Sequence, residues 1–121
     1  MFTQIRALAV YVTEMQRAKQ FYSEVLGFEV SAELGPNLCF LRLGNIHVYL
    51  HGGNKPNSID NRTCRLSFFL QAQDPVAETF ATLKAAGVKL LQEKPQVVGD
   101  DVATFQFEDP DGNIIEISGR T

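Results

Sequence analysis

The order of elements written into residues 5–51 is written again into residues 65–118, and few folds are open to a chain that repeats such a unit. The first pass reads as strand Ile5–Val12, amphipathic helix Thr13–Gly27, and strands Phe28–Ser31, Leu38–Leu43 and Ile46–His51. The second reads as strand Arg65–Leu70, helix Asp74–Gly87, and strands Val88–Leu91, Val102–Glu108 and Asn113–Ser118. Even the lead-in to the last strand recurs, as Gly44-Asn45-Ile46 and then Gly112-Asn113-Ile114. This predicts an α+β fold in which two βαβββ modules form a curved mixed sheet around a cleft. The segment Gly52–Arg62 is rich in Gly, Asn, Pro and Ser and has no period, which marks a linker. One domain is therefore expected, with modules at 1–52 and 64–121 and the linker at 53–63.

Local signals support each element. Thr13 can cap the first helix, with Gln16 completing a capping box. Met15, Ala18, Phe21 or Tyr22, and Val25 recur at helical spacing, and Gly27 offers a left-handed stop. Asp74 is expected to cap the second helix with Pro75 at its first position. Its buried stripe is Val76, Phe80 and Leu83, and Gly87 ends it. Asp109-Pro110-Asp111-Gly112 has the residue order of a tight turn and ties the last two strands into a hairpin.

Composition narrows the function classes. Of 121 residues, 45% are apolar and the net charge is −3, without a Lys/Arg cluster, which argues against a nucleic-acid surface. No apolar run approaches the ~18 residues of a membrane span, and no signal-peptide pattern opens the chain, so a cytoplasmic protein is expected. Cys39 and Cys64 lie in or beside apolar strand segments, as reduced buried thiols do. Asp100-Asp101 matches no calcium loop. Nothing at catalytic spacing to Tyr22, Ser23 and Glu24 makes a hydrolase triad.

Three segments carry a resemblance. Ala18-Lys19-Gln20-Phe21-Tyr22-Ser23-Glu24-Val25-Leu26-Gly27-Phe28 resembles the first helix of the vicinal oxygen chelate superfamily, which holds glyoxalase I, fosfomycin and bleomycin resistance proteins and extradiol dioxygenases. Leu83-Lys84-Ala85-Ala86-Gly87-Val88 is similar to its second helix and stop, and Phe107 to Ile117 to its closing hairpin. The resemblance implies a homodimer whose clefts are often built from two chains, binding a small molecule.

It also implies a divalent metal held by His and Glu on facing strands, and here the chain departs from the pattern. The first-strand ligand, commonly His, falls on Ala7, and the ligand opening the second module falls on Arg65. A methyl group cannot bind a metal, and a guanidinium has no lone pair to offer. Glu116 stands where the family keeps its carboxylate. The glyoxalase I ligand from the fourth strand falls nearest Tyr49. A catalytic metal needs about three protein ligands and an open position, so no cofactor is expected. The alternative is one divalent metal ion held by His47 or His51 with Glu116. Without metal, His51 is expected to be solvated at the strand end and His47 to hydrogen-bond within the cleft.

Arg65 suggests a replacement. A guanidinium in a partly buried cleft is costly unless paired, and Glu116 is the expected partner, the pair standing where the metal would be. Spare donors on Arg65 could then grip an anionic or carbonyl oxygen. Alternation adds His47, Tyr49, Ser67, Phe69, Thr104 and Gln106 to the cleft, with Ala7 and Ala9 leaving room and Tyr11 at one end. Phe105 and Phe107 should be core. Phe40 and Arg42 oppose Cys39, Leu41 and Leu43 in parity, and the sequence does not decide which set faces inward.

The expected function is metal-independent sequestration of a small, partly aromatic or anionic molecule by a dimer. The alternatives are a lyase, transferase or dioxygenase with an atypical metal site, and metal-free acid–base catalysis with Glu116 as base and Tyr49 or His47 as partner.

Overall fold

The computed structural model describes residues 1, 3, 6–53 and 68–121, and their elements fall into two units, Met1–Ser58 and Ile59–Thr121. The expected linker and the opening of the second module lie almost wholly outside the described residues.

In the first unit, strand β1 (Leu8–Tyr11) is followed by helix α1 (Met15–Gln20) and a wide π-helical turn (Phe21–Val25). Strands β2 (Glu29–Glu33), β3 (Leu38–Leu43) and β4 (Ile46–His51) complete it. The sheet order is β1-β4-β3-β2, with β1 parallel to β4 and the other neighbours antiparallel. Val10, Cys39, Leu41, Val48 and Leu50 alternate onto one face and are buried, as a half-covered sheet requires. Ala18, Phe21 and Tyr22 are the buried residues of the helical segment beside them.

The helix departs from the expected single α-helix in a way that explains its aromatic pair. The Leu26 N–H donates to the Phe21 carbonyl five residues back at 3.0 Å, and the Phe28 N–H reaches Tyr22 at 2.9 Å. The extra residue in the turn brings both Phe21 and Tyr22 inward, where regular spacing offered one or the other. Tyr22 stands edge-on to Phe21 and to Phe28, at 5.5 Å from each.

Both expected N-caps are corrected. The Val12 N–H is still tied to the His51 carbonyl at 2.9 Å, so the helix starts later and Glu14, with no side-chain cap bond, takes the cap position. The Thr13 hydroxyl instead accepts from Arg17 Nη2 at 3.0 Å. In the second unit the Pro75 carbonyl accepts from the Glu78 and Thr79 amides at 3.0 and 3.1 Å. The proline, at φ −53° and ψ 140°, is therefore the cap rather than the first helical residue, and Asp74 precedes it.

The second unit repeats the first. Strand β5 (Phe68–Gln71), helix α2 (Val76–Ala85) and strands β6 (Lys89–Leu90), β7 (Gln96–Gly99), β8 (Val102–Glu108) and β9 (Ile114–Arg120) give the order β5-β9-β8-β6, with β7 also on β8. Again the first strand is parallel to the last. Gly87, at φ 80°, closes α2: its N–H reaches Lys84 and the Val88 N–H reaches Leu83, both at 3.1 Å. Val76, Phe80 and Leu83 are buried as expected, and Phe80 meets Phe105 edge-on at 5.1 Å.

Strand β7 has no counterpart in the sequence expectation, which placed no strand between Leu91 and Val102. Lys89 and Leu90 pair with Glu108 and Phe107, whereas Gln96 pairs with Thr104, so three residues more are spent on β6–β7 than the ladder needs. The side chain of Gln92 spans the gap. Its Oε1 accepts from the Gln106 N–H at 3.1 Å, and its Nε2 lies 3.0 Å from the Lys94 carbonyl and 3.5 Å from that of Thr104.

The turn between β8 and β9 forms as expected. The Asp109 carboxylate is buried and accepts from the Asp111 and Asn113 amides at 2.9 and 2.8 Å and from Asn113 Nδ2 at 2.8 Å. Among the described residues, no helix is long and apolar enough to cross a membrane.

Candidate functional site: the open faces of the two sheets

Each sheet buries one face against its own helix, so chemistry available to a ligand lies on the other. In the first unit that face is built in rows by the strand registers. Ala9, Tyr49, Phe40 and Ala32 form one row across β1, β4, β3 and β2. His47, Arg42 and Glu29 form the next, and Tyr11, His51 and Leu38 the row on the other side.

The parity left open between Phe40 and Cys39 is thereby settled. Cys39 and Leu41 are buried, and Phe40 and Arg42 share the open face with Tyr49 and His47. The rings of Phe40 and Tyr49 lie 5.6 Å apart and are tilted by 32°. His51 is half-buried rather than solvated, with its ring 5.4 Å from that of Tyr11. Ala7 precedes β1 in phase with Ala9.

Arg42 Nη2 bonds Glu29 Oε2 at 2.6 Å. That hydrogen bond, with the carboxylate charge, pushes the guanidinium further above its already high range, so its charge is fixed. Glu29 was not among the sequence candidates. It reaches the open face because β2 carries a bulge: the register shifts by one between Val30 and Ala32, leaving Ser31 as the extra residue. Beyond the shift Glu33 pairs with Cys39, a buried-face residue, and its carboxylate meets Lys19 of α1 at 2.5 Å.

In the second unit the open face carries Phe69, Glu116 and Gln106 in one row, and Gln71, Ser118, Thr104 and Gln96 in the next. Phe105 and Phe107 are fully buried on the opposite face, as expected. Phe69 is 69% exposed, a large apolar side chain in solvent beside Glu116. Glu108 is held by Lys89 at 2.9 Å. Arg65 and Ser67 lie outside the described residues, and so does the expected ion pair of Arg65 with Glu116.

The donor chemistry can be compared with what the resemblance requires of a metal. At the three described positions it assigns to ligands stand a methyl group (Ala7), a phenol (Tyr49) and one carboxylate (Glu116). Among the described residues, no three His, Cys, Asp or Glu side chains gather as a metal-binding group. These residues do not fit a divalent metal of that kind, since the one carboxylate would lack the partners that hold such an ion.

The architecture has many counterparts. The profile of the Glyoxalase/Bleomycin resistance protein/Dioxygenase superfamily matches residues 4–117. The "Uncharacterized protein YetH" of Bacillus subtilis (strain 168) is 31% identical over 119 residues, covering 94% of this chain and 96% of that protein. Among solved structures, lactoylglutathione lyase from Agrobacterium tumefaciens superposes with a TM-score of 0.72 at 20% identity, over 97% of this chain and 93% of that one. The fosfomycin resistance protein FosX from Listeria monocytogenes gives 0.74 at 18% identity, over 100% and 94%. At these identities the structural matches speak for the fold.

Proposed function

Because the chain belongs to the Glyoxalase/Bleomycin resistance protein/Dioxygenase superfamily, we propose that it is a metal-independent member that binds and sequesters a small molecule, working as a cytoplasmic homodimer. The observation that carries this reading is the donor set. Where the family resemblance calls for metal ligands, the described positions offer Ala7 and Tyr49 in the first unit and a single carboxylate, Glu116, in the second. Lewis-acid catalysis depends on a held metal, whereas binding depends on what the open faces do supply. Those faces supply aromatic rings at Phe40, Tyr49 and Phe69, amides and hydroxyls at Gln106, Thr104 and Ser118, and a fixed cation at Arg42. A few polar groups among apolar surface is the usual composition of a small-molecule site. Pairing of Arg65 with Glu116 in place of the metal is part of the same proposal.

Elemental analysis and native mass spectrometry on one preparation test it. The expected result is a dimer with far less than one divalent metal per chain, retaining a small organic molecule or binding one when offered. Near-stoichiometric Zn, Ni, Mn or Fe in the protein as purified would overturn it in favour of metal-dependent catalysis. Turnover of a substrate by the metal-free protein, lost in Glu116→Gln, would replace sequestration with acid–base catalysis.

A further inference from the structure

We propose that the open face of the first unit recognises a planar aromatic anion, an aryl carboxylate or its equivalent, with the charge held by Arg42 and His47 and the ring system seated on Phe40 and Tyr49. This names the ligand class for the binding role proposed above and rests on that role.

The argument begins with order along a row. Glu29, Arg42 and His47 succeed one another across β2, β3 and β4, so the guanidinium stands between a carboxylate and an imidazole. Directly opposed residues in a sheet have Cβ atoms about 5 Å apart, close enough for Arg42 and His47 to touch one small anion together. Glu29 holds the guanidinium through Nη2. Arginine has five N–H donors in a rigid fork, and among the described residues Glu29 is the one side chain that Arg42 bonds. The ion pair therefore restrains the side chain while leaving donors unused, which lowers the entropy lost when a ligand is gripped. The His47 ring is exposed and makes no hydrogen bond among the described residues.

The next row supplies the complementary half. Two residues along a strand is about 7 Å, roughly the span from a carboxylate to the far ring of a bicyclic aryl acid. At that distance sit Phe40 and Tyr49, their rings 5.6 Å apart and only 32° from parallel. Their row neighbours are Ala9 beside Tyr49 and Ala32 beside Phe40. Short side chains on both flanks leave the aromatic surface unobstructed at this level of the sheet. Both aromatic residues are only half-buried, and the Tyr49 hydroxyl makes no hydrogen bond among the described residues, so it is a further donor for the ligand. A ligand without an acceptor would leave the spare N–H donors of Arg42 unused, and a small inorganic anion would leave the rings unused.

The test uses two probes of the same shape, 2-naphthoate and 2-naphthamide, titrated calorimetrically into the full chain. A charge-assisted hydrogen bond contributes about 1.5–3 kcal/mol, roughly a 10- to 100-fold preference for the acid. Arg42→Gln is expected to remove that preference, weakening the acid about ten-fold or more beyond any loss for the amide, and Arg42→Lys to retain part of it. Tyr49→Leu should weaken both probes by a similar factor. Amide chemical-shift changes on adding 2-naphthoate should centre on residues 40, 42, 47 and 49. Equal affinity for the two probes, a preference that survives Arg42→Gln, no naphthoate binding at millimolar concentration, or shifts centred elsewhere would each overturn the assignment. Thermal unfolding of each variant confirms that a loss is one of recognition. Failure of the two readings is distinguishable: stoichiometric metal defeats metal independence, whereas absent discrimination in a metal-free protein defeats this assignment alone.

Discussion

Gln92 and Gln106 meet across the break between β6 and β7, where the side-chain carbonyl of one accepts the backbone N–H of the other at 3.1 Å. The strand that should have supplied this rung has swung away, and a primary amide, which can both accept and donate, does its work.

Replacing Gln92 by Ala leaves the Gln106 N–H and the Thr104 carbonyl to water. The site is exposed, so the cost is that of an ordinary hydrogen bond, about 0.5–1.5 kcal/mol. Urea unfolding should report this loss, and hydrogen exchange should show faster exchange at Gln106 than at Phe105. Unchanged exchange at Gln106 would mean that the amide bridge does not hold the ladder.

Gly119 is buried in β9, and a Cβ there would lie 3.0 Å from both Ala72 Cβ and Val76 Cγ2. Gly119→Val forces β9 and α2 apart and should cost at least the 1–3 kcal/mol typical of overpacking. Gly99 meets nothing within 4 Å, so Gly99→Ala should fall within about 0.5 kcal/mol of the parent. Midpoints of chemical unfolding compare the two.

The Asp109 carboxylate, with the residue only 4% exposed, takes three N–H donors. Asp109→Ala strands them in a buried turn, and each unsatisfied buried group costs about 1–3 kcal/mol. The variant should be severely destabilised, and Asp109→Asn less so, since one oxygen remains to accept. Equal stability of the Ala and Asn variants would show that the turn does not depend on this acceptor.

Burial, with a smaller contribution from Glu33 and against the pull of Lys19, pushes the Cys39 thiol above its ordinary range. In a Cys64→Ser background, iodoacetamide at pH 8 should label Cys39 slowly in the native protein and quickly in denaturant. The sign for stability follows. A thiol whose pKa is raised by folding favours the protonated folded state. Its contribution is therefore intact below the unfolded value of 9.0 and declines as pH climbs past it. Rapid native labelling would contradict the buried placement.

Much of this architecture was legible from residue order because the strongest signals were local. The strands β3, β4 and β8 have the bounds that alternation gives them, and the Asp109 turn follows from the residues themselves. Strand β7 was not legible, since all four of its residues are exposed and no alternation survives to mark it. The two helix starts were misplaced by one residue each, because a backbone bond from Val12 to β4 and the carbonyl of Pro75 decided them rather than cap propensity. On the candidate site, parity put His47, Tyr49, Thr104 and Gln106 on the side of their strands opposite the buried residues, as observed, whereas Glu116 was picked out by the family resemblance and not by alternation. Glu29 could not be found that way. Counting outward from the pairing of Glu33 with Cys39 puts Val30, not Glu29, opposite Arg42, and only the bulge at Ser31 changes the partner.

That single supernumerary residue acts as a phase adjuster. It lets one short ribbon answer to two clients, offering Lys19 an acid at its far end and Arg42 another at its near end, although the two lie four positions apart and an unbroken pleat would send both acids to the same side. Deleting Ser31 would therefore do more than shorten a strand: it would force a choice between anchoring the helix and tethering the cation.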